Sequence, residues 1–214
     1  NKYGKYVFID TAGIRRKSKV YDELEKYSII KAKAAIDRAN VCLIMIDATE
    51  GVTEQDEKIA GLAHEAGKGV IIVINKWDLV EKQTNTMSEY KKKVYQKLAY
   101  LDYAPIIFIS AVTGKRVDNI FEKINQVDKQ NALRVPTGLL NDTLAQAVAI
   151  TQPPSDKGRR LKVFYITQVS IRPPTFVIFV NSKQLMHFSY VRYIENHLRK
   201  QFGFEGTPIH MIIR

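Results

Sequence analysis

"GVIIVINKWD", residues 69–78, decides the fold. Five consecutive β-branched residues, Val70 to Ile74, follow a glycine and run into a polar turn. A short run with no polar face reads as a strand buried on both sides, and such strands belong to parallel sheets covered by helices. Working outward, "NVCLIMIDA" (40–48) and "APIIFISA" (104–111) repeat the pattern, and "KYVFID" (5–10) is a shorter apolar strand. Between them lie helical stretches over 27–39, 53–67, 88–101 and 117–130. Thr53 caps the second, with acidic residues in its first turn and Gly67 at its end, and Ser88 caps the third. Alternating strand and helix predicts an α/β fold with a parallel sheet flanked by helices, in which ligands sit at the carboxyl ends of the strands.

Three of those ends carry polar turns. "DTAG" (10–13) places a carboxylate and a glycine after the first strand. The carboxylate of Asp10 suits Mg²⁺ held through water, and Gly13 offers a backbone N–H to a γ-phosphate. An ordinary strand-ending turn would look the same. "NKWD" (75–78) is more specific. The Asp78 carboxylate can accept from the N1–H and the exocyclic amine of guanine, a donor pair that adenine lacks. Asn75 can tie neighbouring loops together, and the Lys76 stem can pack along a base. "ISA" (109–111) adds Ser110 and Ala111, whose backbone can meet guanine O6.

The order DTAG, NKWD, SA resembles that of P-loop GTPases of the translation-factor and Ras type. Longer blocks resemble one branch: "DTAGIRRK", "EKYSIIKAKAAIDRA", "DATEGVTEQDEKIAGLAHEAGKG", "VINKWDLV", "RRLKVFYITQVSIRPPTFVIFVN" and "HFSYVRYIENHLRKQFGFEGTPI" are similar to the bacterial ribosome-assembly GTPase family Der, or EngA. The resemblance covers nearly all 214 residues. It implies the second GTPase domain of that family from its switch II strand onward (1–133), then a KH-like domain (134–214). It also implies a GTP-binding, GTP-hydrolysing parent that uses GTP/GDP and Mg²⁺ and matures the large ribosomal subunit. That parent is expected to be cytoplasmic and monomeric, with rRNA as partner and neither membrane nor DNA. The phosphate cradle G-x-x-x-x-G-K-[ST] and the threonine switch segment do not occur in residues 1–214. The expectation is a carboxy-terminal part of a longer protein. An alternative reading is a nucleotide-inactive fragment that docks on RNA or the ribosome. By the same resemblance Asp10, Gly13, Asn75, Lys76, Asp78, Ser110 and Ala111 would bind nucleotide. Ile14 stands where many GTPases carry a water-orienting Gln, and an apolar side chain cannot hydrogen-bond water.

After residue 133 the pattern changes to a linker (133–138) and then helix, strand, strand, helix, strand: 138–150, 161–170, 175–182, 186–202 and 209–214, an α+β unit. The net charge of +11 is uneven: residues 134–214 hold 11 of the 33 Lys+Arg but 4 of the 22 Asp+Glu. That excess fits either a solvated surface or salt-dependent contact with RNA phosphates. Arg15, Arg16 and Lys17 beside the switch, and Arg159, Arg160, Arg192 and Arg199 in the second unit, are the candidate rRNA contacts, with Arg192 and Arg199 seven apart on one helix face. Gly203-Phe204-Glu205-Gly206 spells the KH clamp but follows the long helix, which fits a helix-ending turn. Tyr190, Tyr193 and Phe202 read as core. The single cysteine, Cys42, excludes an internal disulfide, and the histidines lack metal-ligand spacing.

Overall fold

The computed structural model describes residues 3–11, 22–156 and 158–214, with the side chains of 22–29 and 156 left aside. The chain divides into two compact units, Asn1–Asp128 and Lys129–Arg214. Gly13, Ile14, Arg15, Arg16 and Lys17 lie outside the described residues.

The first unit runs α1 (Asp22–Arg38), β1 (Val41–Asp47), α2 (Glu54–Glu65), β2 (Gly69–Asn75), α3 (Thr86–Lys97), β3 (Ile106–Phe108) and α4 (Asn119–Asn131), whose last turn enters the second unit. The three strands form a parallel sheet in the order β1-β2-β3. Alternation along β2 builds the core. Ile72 and Ile74 pack with Ile44, Ile46, Ala60 and Leu98 on one face, while Ile71 and Val73 pack with Ile120 and Val127 of α4 on the other. Both faces are covered, so a strand with no polar residue between Gly69 and Asn75 is at its lowest free energy here. Cys42 sits in the first of these clusters, and burial pushes its thiol up to about 11.

Helix α2 begins with a reciprocal capping box. Thr53 Oγ1 accepts from the Asp56 N–H at 3.2 Å, and the Asp56 carboxylate accepts from the Thr53 N–H at 3.0 Å. Ala66 is its C-cap and Gly67 follows at φ +67°. Ser88 is not a cap: α3 begins two residues earlier, and Thr86 Oγ1 accepts from the Gln83 N–H.

Glycine 69 allows β2 to start close against α4. A Cβ there would lie 2.7 Å from Val127 Cγ1 and 3.2 Å from Val41 Cγ2. Gly69→Ala is expected to cost about 1–3 kcal/mol through overpacking. Urea unfolding of the chain checks this, and an unchanged midpoint would refute it.

The predicted strand over 5–10 is not one. Residues 4–11 carry no regular structure, and β1 has a strand neighbour on one side only among the described residues. The segment is held by side chains instead. Tyr3 stacks on Phe121 at 5.8 Å, Tyr6 and Phe8 also meet that ring, and the Asn125 amide donates to the Tyr3 carbonyl at 3.1 Å. Between this segment and the β1 edge runs a groove of about 590 Å³, lined by Val7, Ile9, Ile36, Val41 and Leu43 among others.

In the second unit α5 (Thr137–Ile150) precedes a short hairpin of β4 (Ser155–Asp156) and β5 (Arg159–Arg160). Then come β6 (Val163–Ser170), β7 (Thr175–Val180), α6 (Phe188–Phe202) and β8 (His210–Ile213). β6 and β7 are antiparallel and β7 and β8 parallel. Leu140, Leu144, Ile166, Phe176, Ile178, Ile194 and Leu198 form the core between α5, α6 and the sheet. The aromatic stripe is part of it: Tyr190 and Tyr193 donate their hydroxyls to the Thr151 and Ala147 carbonyls, both at 2.8 Å. The stretch read as a linker is anchored. Gln168, 6% exposed, accepts from the Val135 N–H and donates to the Leu133 carbonyl, both at 2.8 Å. Gly203 is the C-cap of α6 at φ +92°, so the Gly203–Gly206 string is a helix-ending turn.

Candidate nucleotide-base site

The β1 and β2 ends lie in register, Asp47 opposite Asn75, and β3 brings Ser110 beside them. Three of the predicted residues become one clasp through Asn75. Its Oδ1 accepts from the Lys76 N–H at 2.8 Å and from the Ala111 N–H at 3.0 Å. One side-chain oxygen therefore joins the turn after β2 to the turn after β3. The Trp77 N–H donates to the Ile109 carbonyl at 3.1 Å and adds a second tie. The Trp77 ring is 7% exposed and packs 4.4 Å from Phe108 and 5.3 Å from Tyr90. This tryptophan roots the loop in the core, so the residue after it, Asp78, projects from a fixed base.

Asp78 is exposed. The buried Ser110 hydroxyl beside it, and then its own backbone N–H, hold the Asp78 carboxyl below its usual range. Ser110 is itself placed by its N–H donating to the Lys115 carbonyl at 3.1 Å. The arrangement leaves an ionised carboxylate with a defined direction and open lone pairs, the chemistry that a paired N–H donor edge requires.

Lys76 adopts a left-handed backbone, φ +60° and ψ +31°. Such a conformation costs a non-glycine residue about 1–3 kcal/mol and persists only where the surroundings impose it. Here the Asn75 bond and an ion pair impose it: Lys76 Nζ lies 2.5 Å from Asp47 Oδ2. Asp47 was missed by the sequence reading. The only signal was an Asp ending an apolar strand at the same level of the sheet as Asn75.

The structure brings Asn75, Lys76, Asp78, Ser110 and Ala111 together. Asp10 stands apart, exposed on the irregular segment, with no hydrogen bond or ion pair to these five among the described residues. A single exposed carboxylate does not make a magnesium site. Among the described residues no group of three His, Cys, Asp or Glu is placed to hold a metal ion.

The candidate rRNA contacts separate. Arg159 and Arg160 are exposed on β5, Arg160 donating to Gln152, and Arg192 is exposed on α6. Arg199 is a correction. Its guanidinium is half-buried and spent internally, on Glu195 at 2.8 Å and on the Phe204 and Thr207 carbonyls at 2.9 and 3.0 Å. It closes the turn after α6 rather than offering itself to phosphate. No helix among the described residues is long and apolar enough to cross a membrane.

Comparison with known proteins agrees with this architecture. Residues 134–214 match the KH-domain-like family of EngA bacterial GTPase enzymes, C-terminal, and residues 25–130 match the elongation factor Tu GTP-binding domain. GTPase Der of Acetivibrio thermocellus is 63% identical over the whole chain, which covers 49% of that relative. GTPase Der of Ruminiclostridium cellulolyticum is 62% identical over 98% of the chain and 48% of the relative, and that of Alkaliphilus metalliredigens 61% over the same shares. The chain thus spans about half the length of the curated relatives it matches, and the P-loop-type sheet with a KH-like unit after it is the fold they share with it. Over that span it belongs to the GTPase Der family.

Proposed function

We propose that residues 1–214 are the guanine-reading and docking portion of a longer GTPase that serves assembly of the large ribosomal subunit in the bacterial cytoplasm. The Asn75 clasp carries the reading, because one side-chain oxygen ties the turn that leads to Asp78 to the Ala111 N–H. There Asp78 accepts the N1–H and exocyclic amine of guanine and Lys76 lays its stem along the base, while the Ala111 N–H, which donates to Asn75 in this structure, would have to be shared with O6.

The rest of the nucleotide is handled elsewhere. Phosphate affinity comes from a glycine-rich backbone cradle and its lysine, which the longer protein would supply. A further strand added to the β1 edge would fill the groove beside it and carry such a cradle toward the segment that carries Asp10. Mg²⁺ would arrive with the triphosphate, and Asp10 would act on its hydration shell only together with ligands from that upstream part. Hydrolysis transfers the γ-phosphoryl group to water, giving GDP and inorganic phosphate. With Ile14 in place of a water-orienting side chain, the group that directs the water lies outside this stretch. Residues 1–133 form the partial GTPase domain and 134–214 the KH-like domain, whose Arg159, Arg160 and Arg192, with Arg15, Arg16 and Lys17 near the switch, would touch rRNA phosphates.

The full-length protein is expected to bind GDP at least a hundredfold more tightly than ADP, on the scale set by leaving buried polar groups unpaired. It is also expected to cosediment with large ribosomal subunits at low salt and to leave them as salt rises. Equal GDP and ADP affinity would sink the base reading, and no cosedimentation at low salt would sink the docking role.

A further inference from the structure

Asp47 ends β1 with its side chain 5% exposed. Both carboxylate oxygens are engaged. Oδ1 accepts from the Thr49 N–H at 2.9 Å and the Thr49 hydroxyl at 2.7 Å, and Oδ2 meets the Lys76 ammonium at 2.5 Å. The pair is asymmetric: the Lys76 side chain is 50% exposed. Lysine on an exposed loop ordinarily samples many rotamers. Asp47 restricts it, because releasing the ammonium would leave a water-excluded carboxylate charge without its partner. The tether also supports the left-handed turn at Lys76, the residue between the Asn75 clasp and Trp77.

We propose that Asp47 is a positioning residue for guanine recognition, holding Lys76 by its ammonium so that the lysine stem and the turn leading to Asp78 are set before nucleotide arrives. It acts through Lys76 and does not touch the base. Ordering the loop in advance removes a cost from binding, so its loss appears as weaker retention of the nucleotide. This inference rests on the base-reading role proposed for residues 75–78.

The test uses the full-length protein and release of a fluorescent GDP analogue. Asp47→Asn is expected to speed release about tenfold, Lys76→Met to do the same, and the double variant to release no faster than either single one, the mark of two residues acting as a unit. Wild-type release in Asp47→Asn, or effects that multiply in the double variant, would overturn the inference. A separate Asp78→Asn variant distinguishes the two levels. If it fails to redirect base choice, the base reading falls and this inference with it; if it succeeds while Asp47→Asn is silent, only this inference falls.

Should Asp47→Asn not fold, carboxyl titration by ¹³C NMR decides. The Lys76 ammonium, then the Thr49 hydroxyl and N–H, hold the Asp47 carboxyl down at about 2. The folded value lies below the unfolded one of about 3.9, so the pair stabilises the fold above that pH and its contribution is lost as pH falls toward the folded midpoint. Lys76→Met is expected to raise the midpoint toward the ordinary carboxylate range. An unmoved midpoint would show that Lys76 does not hold Asp47 and would overturn the inference.

Discussion

Asp78→Asn in the full-length protein is expected to lower GDP affinity about a thousandfold, the size of two charge-assisted hydrogen bonds, and to create binding of xanthosine diphosphate. The carboxylate offers only acceptors, and guanine presents two donors, N1–H and the C2 amine. An asparagine amide turns one acceptor into an N–H donor, which opposes the C2 amine and matches the C2 carbonyl of xanthine. The substitution is nearly isosteric on an exposed side chain. The loop keeps its rooting at Trp77 and its Asn75 clasp, because neither uses the Asp78 side chain. Isothermal titration with both diphosphates, beside circular dichroism to confirm folding, measures the exchange. Undiminished GDP binding would remove Asp78 from the base site.

The second large effect is a loss. The 214-residue chain alone is expected to bind GTP at least a thousandfold more weakly than the full-length protein and to show no turnover. A base site without a cradle offers one carboxylate pair and a lysine stem, while most nucleotide affinity comes from backbone N–H groups and a lysine around the phosphates. The irregular course of residues 4–11 weakens the chain further, because Asp10 then lacks a strand to aim it. Phosphate release at micromolar GTP measures turnover, and competition against the fluorescent GDP analogue measures affinity. Hydrolysis by the isolated chain would place the catalytic machinery within these residues after all.

The sequence was a good guide wherever an element carries its own reason to form. β2 is apolar throughout because both faces are covered, and its pattern said so. Thr53 and Asp56 satisfy each other across one turn, and that spacing is local. The residues of the candidate base site were legible for the same reason: Asn75 to Asp78 are contiguous, and Ser110 follows a recognisable strand. Legibility failed where a partner decides. Residues 5–10 have strand composition, but a strand exists only beside another, and the ring of Phe121 claims Tyr3, Tyr6 and Phe8 instead. β3 shrinks to Ile106–Phe108 because its ladder to β2 extends only over Ile72–Ile74. Arg199 has the seven-residue spacing from Arg192 that suggested a shared phosphate-facing surface. The carbonyls of Phe204 and Thr207, beyond the end of α6, turn back to claim it. Asp47 could not be ranked above any other Asp at a strand end until the register placed it opposite Asn75.

The edge of β1 that no described strand pairs has a meaning for handling the protein. Among the described residues β1 has a strand on one side only, and apolar side chains such as Met45, 42% exposed, lie along it; a strand edge of that kind is a template on which a second copy can add edge to edge. The isolated chain therefore has a route to self-association that a protein with a complete sheet closes. With the strand proposed for the longer protein in place that route would close, so the same edge sets the concentration at which this half can be kept as single molecules.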